Sequence, residues 1–413
     1  MLPRAVPLLV DILLIALTAL AAATIIYCVM LIIRVRTSLS RVPTARSGIS
    51  LPAPADGWPS VCIVVPAHNE ERVIGALAES LRNQDYPHLR IVFALDRCDD
   101  GTEASLRAAI GDDDRFEIIH IECCPDDWAG KTHAVWRGVH DSHGANEADL
   151  LLFTDADTTF DPACVRAAVA LLHTRRLDML SLLSTLSSRQ WWELVAQPAA
   201  AFELMRHFPI HRVNIESRSR PAFANGQFML FRSDAYRQIG GHEHVKDELL
   251  EDMAFAKALR TAGMRNGLML ADGMLHCRMY GSWDAHRRGW KRIFIECAKR
   301  RPARLRAWAL RLVVTDVVLP AASALCLILG VVEIRSDSSA VGWAGVLLGA
   351  AAIASWLVAI SVIHRAQRAP WWSALLHPTG AWLTARILRS AAADLDAGRG
   401  VVWAGRTYVR ERQ

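Results

Sequence analysis

Residues 12–33 carry no charged side chain, and as a helix they are about 33 Å long, enough to cross a hydrocarbon core of about 30 Å. Residues 312–332 and 340–363 repeat this pattern near the other end, joined by the polar hairpin 333–339. A chain built this way is a soluble portion held between membrane helices. A cleaved signal peptide is the other reading of the first span, with Arg4 as its basic flank and Ala19-Leu20-Ala21 as a cleavage site. The apolar run continues well past that point, which favours an anchor.

Charge orients the spans. Arg34, Arg36, Arg41 and Arg46 follow the first span while only Arg4 precedes it, so the segment after it is expected in the cytoplasm, in a multi-pass inner membrane protein. His364, Arg365 and Arg368 return the last span to the same side. Asp316 lies inside the second span, where a carboxylate is costly and turns toward protein or water, or snorkels to the near interface. Residues 371–385 are apolar but short and interrupted by His377, Pro378 and Gly380. They read as a re-entrant or interfacial segment, which keeps Arg399, Arg406, Arg410 and Arg412 cytoplasmic. The formal net charge of +5 is mild, yet Arg287, Arg288, Lys291, Arg292, Lys299, Arg300, Arg301, Arg304, Arg306 and Arg311 crowd one segment. That segment runs straight into an apolar span, so anionic lipid headgroups are its expected partner rather than nucleic acid. The nine cysteines show no paired metal-ligand spacing and are expected reduced. Nothing marks a protein partner.

Between the membrane parts, short apolar runs at 61–65, 90–95, 117–121, 150–154 and 179–183 alternate with helical patterns. Val73, Ile74, Leu77, Ala78 and Leu81 recur at helical spacing, and Asp161-Pro162 reads as an N-cap followed by proline at the first helical position. The expectation is a doubly wound, Rossmann-like α/β sheet, reached through a proline-rich linker.

Ligands bind at the carboxyl ends of such strands. LLLFTDADTTF (150–160) delivers Asp155 and Asp157 to one of them. Their hard oxygens suit magnesium or manganese, although turn and cap chemistry also uses Asp-x-Asp. PAHNE (66–70) ends the first run and places Pro66, Asn69 and Glu70 where a nucleotide meets backbone and side chains, or where a helix is merely capped. Asp96 ends the second, positioned for a base or ribose, with Asp100 capping the next helix. Lys131 follows a flexible Ala129-Gly130 turn and suits a diphosphate. Glu251 and Asp252 stand just inside a helical pattern, where the helix start favours an ionised carboxylate fit to deprotonate a hydroxyl. His120-x-Glu122 and His242-x-His244 carry no comparable pattern.

PAHNE, ALDRCDDGT, WAGK, TDADTTF, NGQFMLFR and LLEDMAFAKAL occur in this order, and in this the chain resembles family 2 glycosyltransferases. The resemblance covers residues 61–290. It implies a GT-A fold, a nucleotide-sugar donor, usually UDP-linked, a divalent cation (Mg2+ or Mn2+), and inversion at the anomeric carbon. By motif matching, Asp157 binds the metal, Asp155 lies near the nucleotide and Asp252 is the base, with Glu251 and Trp290 on the acceptor side. Pro66, Asn69, Glu70, Asp96 and Lys131 complete the donor side. The stretch 239–252, the GRGVVWAGR segment (398–406) and the paired C-terminal spans look like transferases acting on hopanoid and carotenoid lipids, which implies a lipid acceptor. Two alternatives stay open: transfer to a polyprenyl phosphate, and a scaffold that binds nucleotide sugar without turnover.

The chain departs from the family pattern in three places. Leu95 and Cys98 stand where the family usually has an acidic residue and a serine. His286-Arg-Arg-Gly289-Trp290 keeps only the tryptophan of the processive enzymes' box, so polymer translocation is not expected. Ala404 replaces a frequent lysine. The expected organisation is an anchor (1–34), linker (35–59), catalytic domain (60–283), basic interfacial helices (284–311), two spans (312–363), and an interfacial segment with a basic tail (364–413).

Overall fold

The structure, a computed structural model, describes residues 5–208, 210–215, 221–336, 339–399, 401–403 and 406–408. Arg4, Ala404, Arg410 and Arg412 lie outside them. In chain order the principal elements are helix α1 (Ala5–Arg41), strand β1 (Val61–Ala67), α2 (Ile74–Arg82), β2 (Leu89–Asp96), α3 (Thr102–Ile110), β3 (Phe116–Ile121), α4 (Gly130–Asp141) and β4 (Leu150–Phe153). They continue with α5 (Cys164–Thr174), β5 (Met179–Leu183), α6 (Trp191–His207), β6 (Met229–Arg232), α7 (Glu251–Thr261) and β7 (Asn266–Leu270). The C-terminal part holds α8 (Trp283–Cys297), α9 (Pro302–Val313), α10 (Leu319–Ser336), α11 (Ala340–Ala366) and α12 (His377–Asp396).

One seven-stranded sheet has the order β3-β2-β1-β4-β6-β5-β7. Its central strands β1 and β4 are apolar because both faces are covered. Val61, Ile63 and Val65 join the core under α2 and α5, while Cys62 and Val64, one residue out of phase, join the core toward α4 and α7. Strand β4 divides likewise, Leu150 and Leu152 to one side and Leu151 and Phe153 to the other. All five strands expected from the sequence are present. The sheet is mixed rather than wholly parallel, because β6 runs antiparallel to both β4 and β5. A small second sheet, Thr158–Phe160, Leu275–Cys277 and Thr185–Leu186, folds over the carboxyl ends of the strands.

Among the described residues, three helices are long and apolar enough to cross a membrane: Asp11–Arg41, Pro302–Ser336 and Ala340–Ala366. Their outward faces carry Ile26, Ile33, Ile328 and Leu347, each more than half exposed. Inside, α10 and α11 pack backbone to backbone, since a side chain on Gly349 would meet the Leu327 amide.

Several local expectations need correction. The 35–59 linker is not free: α1 continues through Arg41 until Pro43 ends it, and Val42 and Ala45 are buried, with the Leu270 amide donating to the Pro43 carbonyl at 2.9 Å. Asp161 does not start α5 directly. The helix begins at Cys164, and the Asp161 carboxylate accepts from the Ala163 amide at 3.0 Å in a preceding turn. In 371–385 the three supposed interruptions are a helix start and a contact. After a short turn, Trp371–Leu376, Pro378 opens α12, and Gly380 lets α12 lie against the Val195 carbonyl of α6. Trp371, Trp372, Leu375 and Trp382 remain exposed on this segment, as suits an interface. Part of the basic segment is ion-paired: Lys291 reaches Asp394, Arg306 reaches Asp396, Arg311 reaches Glu203, Arg287 pairs with Asp284 within α8, and Arg300, just past the end of α8, pairs back to Glu296.

Asp316 neither snorkels nor faces lipid. A π-helical turn, Val314–Val318, interrupts the long helix between α9 and α10 and carries it inward, fully buried. There it accepts from Arg206 of α6 at 3.1 Å and from Thr315 at 2.8 Å, while Arg206 also donates to the Tyr27 hydroxyl of α1 at 3.0 Å. This knot ties the soluble domain to two of the membrane helices.

Candidate active site

The carboxyl ends of β1, β2 and β4 open into a cavity of about 1070 Å³. Pro66, Glu70, Asp96, Lys131, Asp155 and Asp157 line it, together with Glu251, Asp252 and Trp290. Nine of the ten residues expected from the sequence therefore converge. Asn69 does not line the cavity. It sits at φ 58° in a left-handed turn, where its amide group donates to Asp99 at 2.6 Å and its oxygen accepts from the Asp99 amide at 3.0 Å. Its job is to shape the loop that presents Glu70.

Lys131 is at the start of α4, not in a flexible turn, and its Nζ lies 2.6 Å from Asp155 and 2.5 Å from Glu251. Burial opposes its charge, but the two carboxylates hold the ammonium well above its ordinary value. Glu251 is correspondingly held below the usual carboxylate range: burial works against it, and the Lys131 charge outweighs burial. Glu251 is thus paired with a lysine shared with Asp155 while lining the cavity.

Asp252 accepts from the Gly226 amide at 2.9 Å and from the Met253 amide at 2.7 Å. The helix start does not keep it a strong acid. Burial, and behind it the neighbouring Glu251 charge, push Asp252 up to about 7. Burial and the Asp155 charge do the same to Asp157, and burial with Asp157 and Asp155 to Glu70, each reaching about 7. Carboxylates that raise one another in this way ask for a cation. Among the described residues no three or more His, Cys, Asp or Glu side chains form a group that could hold a metal ion by themselves; magnesium and manganese are bound through one or two carboxylates and completed by substrate phosphates and water, and the Asp155–Asp157 pair offers such carboxylates. The residues present therefore fit a divalent ion at Asp157 with Asp155 beside it.

Several contributors escaped sequence reasoning. A side chain on Gly226 would come within 3.2 Å of Glu251 Oε1 and 3.3 Å of Lys131 Nζ, so only glycine leaves both groups in place. Its signal was present in the NGQ motif. Arg97 occupies both oxygens of Asp96, at 2.8 and 2.7 Å. The Cys277 thiol donates to Asp157 at 3.4 Å, a contact brought about by the pairing of Leu275–Cys277 with Thr158–Phe160 that no local pattern reveals. The Trp290 indole N–H is buried with no hydrogen-bond partner among the described residues.

A doubly covered mixed sheet, an aspartate pair at the end of a central strand and a second carboxylate at a facing helix start define a glycosyltransferase of the GT-A fold. Residues 59–295 match the family described as Glycosyltransferase like family 2, and the chain belongs to that family. The 4,4'-diaponeurosporenoate glycosyltransferase of Staphylococcus haemolyticus is 23% identical over 226 residues, covering 54% of this chain and 57% of the relative. The enzyme of the same name from Staphylococcus aureus strain MRSA252 is 24% identical over 237 residues, covering 56% and 60%. The chain spans a little over half the length of these curated relatives. Among solved structures, the mannosyltransferase PcManGT from Pyrobaculum calidifontis, in complex with GDP-Man and Mn2+, aligns with TM-score 0.45 and 17% identity over 94% of this chain and 97% of its own. Staphylococcus aureus TarS 1–349 with UDP-GlcNAc aligns with TM-score 0.40 and 13% identity over 85% and 97%.

Proposed function

We propose that this transferase moves a sugar, with inversion, from a nucleotide-diphosphate sugar, UDP-linked in the first instance, to a hydroxyl on a membrane lipid of the hopanoid or carotenoid kind. The observation that carries the reading is the single cavity holding Asp157, Lys131 and Asp252 and continuing to residues of the membrane helices α1 and α11. Asp157, with Asp155 close by, would hold a divalent ion, which when bound would supply charge stabilisation to the departing diphosphate. Lys131 adds a second positive charge to the same end, released from Asp155 and Glu251 as phosphate oxygens arrive. Asp252 takes the acceptor proton. A carboxylate near 7 suits that task, being ionised at the operating pH yet basic enough to assist. Trp290 offers its unpaired N–H to the incoming acceptor or to the sugar. Attack opposite the diphosphate is one displacement, so no enzyme nucleophile is required. The catalytic domain faces the cytoplasm, where nucleotide sugars are available.

The test is transfer of labelled sugar into extracted lipid by purified protein in detergent, with manganese or magnesium and a panel of nucleotide sugars. Metal-dependent labelling that is lost in Asp157→Ala is the expected result. Nucleotide binding without transfer to any lipid would reject it in favour of a scaffold. Full activity in Asp252→Asn would reject the hydroxyl acceptor in favour of a phosphate.

A further inference from the structure

Cys277 stands beside Asp157 and has no part in the proposed transfer. Its strand is clamped on both edges. Leu275–Cys277 pairs antiparallel with Thr158–Phe160, which brings Cys277 opposite Thr158, and parallel with Thr185–Leu186. The Arg278 amide donates to the Asp157 carbonyl at 2.9 Å, and the Ser187 amide to the Cys277 carbonyl at 2.9 Å. Strand alternation then decides which side chain faces the site. Leu275 and Cys277 turn inward, while His276, whose imidazole is the commoner metal ligand, turns outward and is exposed. Cys277 is 2% exposed, with its Sγ 3.4 Å from Asp157 Oδ1. That separation fits two ligands of a single cation: an oxygen at about 2.1 Å and a sulfur at about 2.3 Å from one ion lie about 3.1 to 3.6 Å apart for angles of about 90° to 110°. As a hydrogen bond alone the contact is a poor use of the position, because a thiol is a weak donor and a hydroxyl would serve the carboxylate better. A sulfur that only filled space would gain nothing from facing a carboxylate.

We propose that Cys277 is a second protein ligand of the divalent ion held by Asp157, and that its sulfur makes the site select a first-row transition ion over magnesium. The proposal rests on the reading of Asp157 as a metal ligand and adds to it a residue and a selectivity. Magnesium demands a near-ideal octahedron of oxygens and gives up water reluctantly, so a sulfur in its shell replaces a ligand it prefers. Softer transition ions accept thiolate readily. Without an ion the thiol keeps its proton and donates it to Asp157, the bond the structure shows. As the sulfur joins a cation, that proton passes to water. Asp157 and Cys277 remain only two protein ligands, which leaves the rest of the shell to phosphate oxygens and water. The three-stranded sheet holds both in register, Asp157 at the entry to one strand and Cys277 at the end of its neighbour, so the pair is built before any ion arrives.

The test uses the full chain purified in detergent with UDP, titrated with Co2+ while the absorption spectrum is read. A sulfur-to-cobalt charge-transfer band in the near ultraviolet is expected to saturate at one ion per chain. It should disappear in Cys277→Ser and in Asp157→Asn, and persist in Cys123→Ser. Competition calorimetry should show Cys277→Ser losing roughly tenfold in cobalt affinity and less than about twofold in magnesium affinity. Thermal unfolding establishes that each variant is folded, and the band in the unaltered chain depends on no variant. Cobalt that binds through Asp157 without a sulfur band, or with a band that survives Cys277→Ser, overturns the thiol ligand and leaves the metal reading standing. Equal losses for cobalt and magnesium in Cys277→Ser overturn the selectivity. If neither ion responds to Asp157→Asn, the metal reading falls and this inference with it. A cobalt band lost in Cys277→Ser, in a protein that transfers sugar to no lipid, upholds the ligand and rejects the transfer.

Discussion

Asp252 is held by two backbone amides yet pushed up to about 7, so its protonation changes within the working range of the enzyme. With Asp252 as the proposed base, transfer should rise as pH increases through about 7 and then level. Asp252→Asn should remove the limb and lower single-turnover transfer by about 10² to 10⁴, with donor binding retained; a pH profile that keeps its shape in the variant would assign the proton to another group. Gly226→Ala should lower donor affinity by roughly tenfold without a large change in melting temperature, since its new methyl group crowds Glu251 and Lys131 at 3.2 and 3.3 Å and little else; calorimetry with UDP and manganese measures it. Asp155, Asp157 and Asp252 were legible because each follows an apolar run or opens a helical pattern. The pairing of Lys131 with Glu251 was not, because it joins α4 to α7 through space and neither residue's neighbours in sequence mark it. Asn69 shows the opposite failure: the motif is right, but a left-handed turn spends the side chain on Asp99.

At the scale of elements, periodicity reveals where apolar helices run but not where their hydrogen-bond register slips. The second span reads as one apolar stretch, and the π turn that rotates Asp316 inward has no sequence mark except the carboxylate itself. Such turns recur at functional sites, and here the turn makes α6, α1 and the long helix one body. Asp316→Ala leaves Arg206 buried, with a side chain 9% exposed and only Glu203 as countercharge; a loss of about 3 kcal/mol is expected. The double variant Arg206→Met with Asp316→Leu should recover most of it, as thermal unfolding in detergent would show; additive losses would mean that the two residues act independently. Gly380 supplies a second check. Because α12 meets the Val195 carbonyl there, Gly380→Leu should lift α12 from α6 and lower the melting temperature by several degrees.

The whole molecule is a catalytic domain carried on helices long and apolar enough to cross a membrane, and its orientation is argued from arginines rather than from any contact. Arg34, Arg36 and Arg41 continue α1 beyond the bilayer on the catalytic side, and Arg365 and Arg368 close α11 on that side, Arg368 pairing with Asp272 of the catalytic domain. The positive-inside rule therefore predicts a cytoplasmic domain, on the side where nucleotide sugars are made. The chain carries its own reporter. All nine cysteines are free, and Cys123 is exposed just after β3 while six others are buried. A membrane-impermeant maleimide should label Cys123 in inverted inner-membrane vesicles and spare it in intact spheroplasts, with Cys123→Ser removing most of the signal. Labelling in spheroplasts would place the domain outside, away from cytosolic nucleotide sugars. In that case the carboxylates and Lys131 would need a donor of another kind, because no rearrangement of three spans can carry the domain back across the bilayer during turnover.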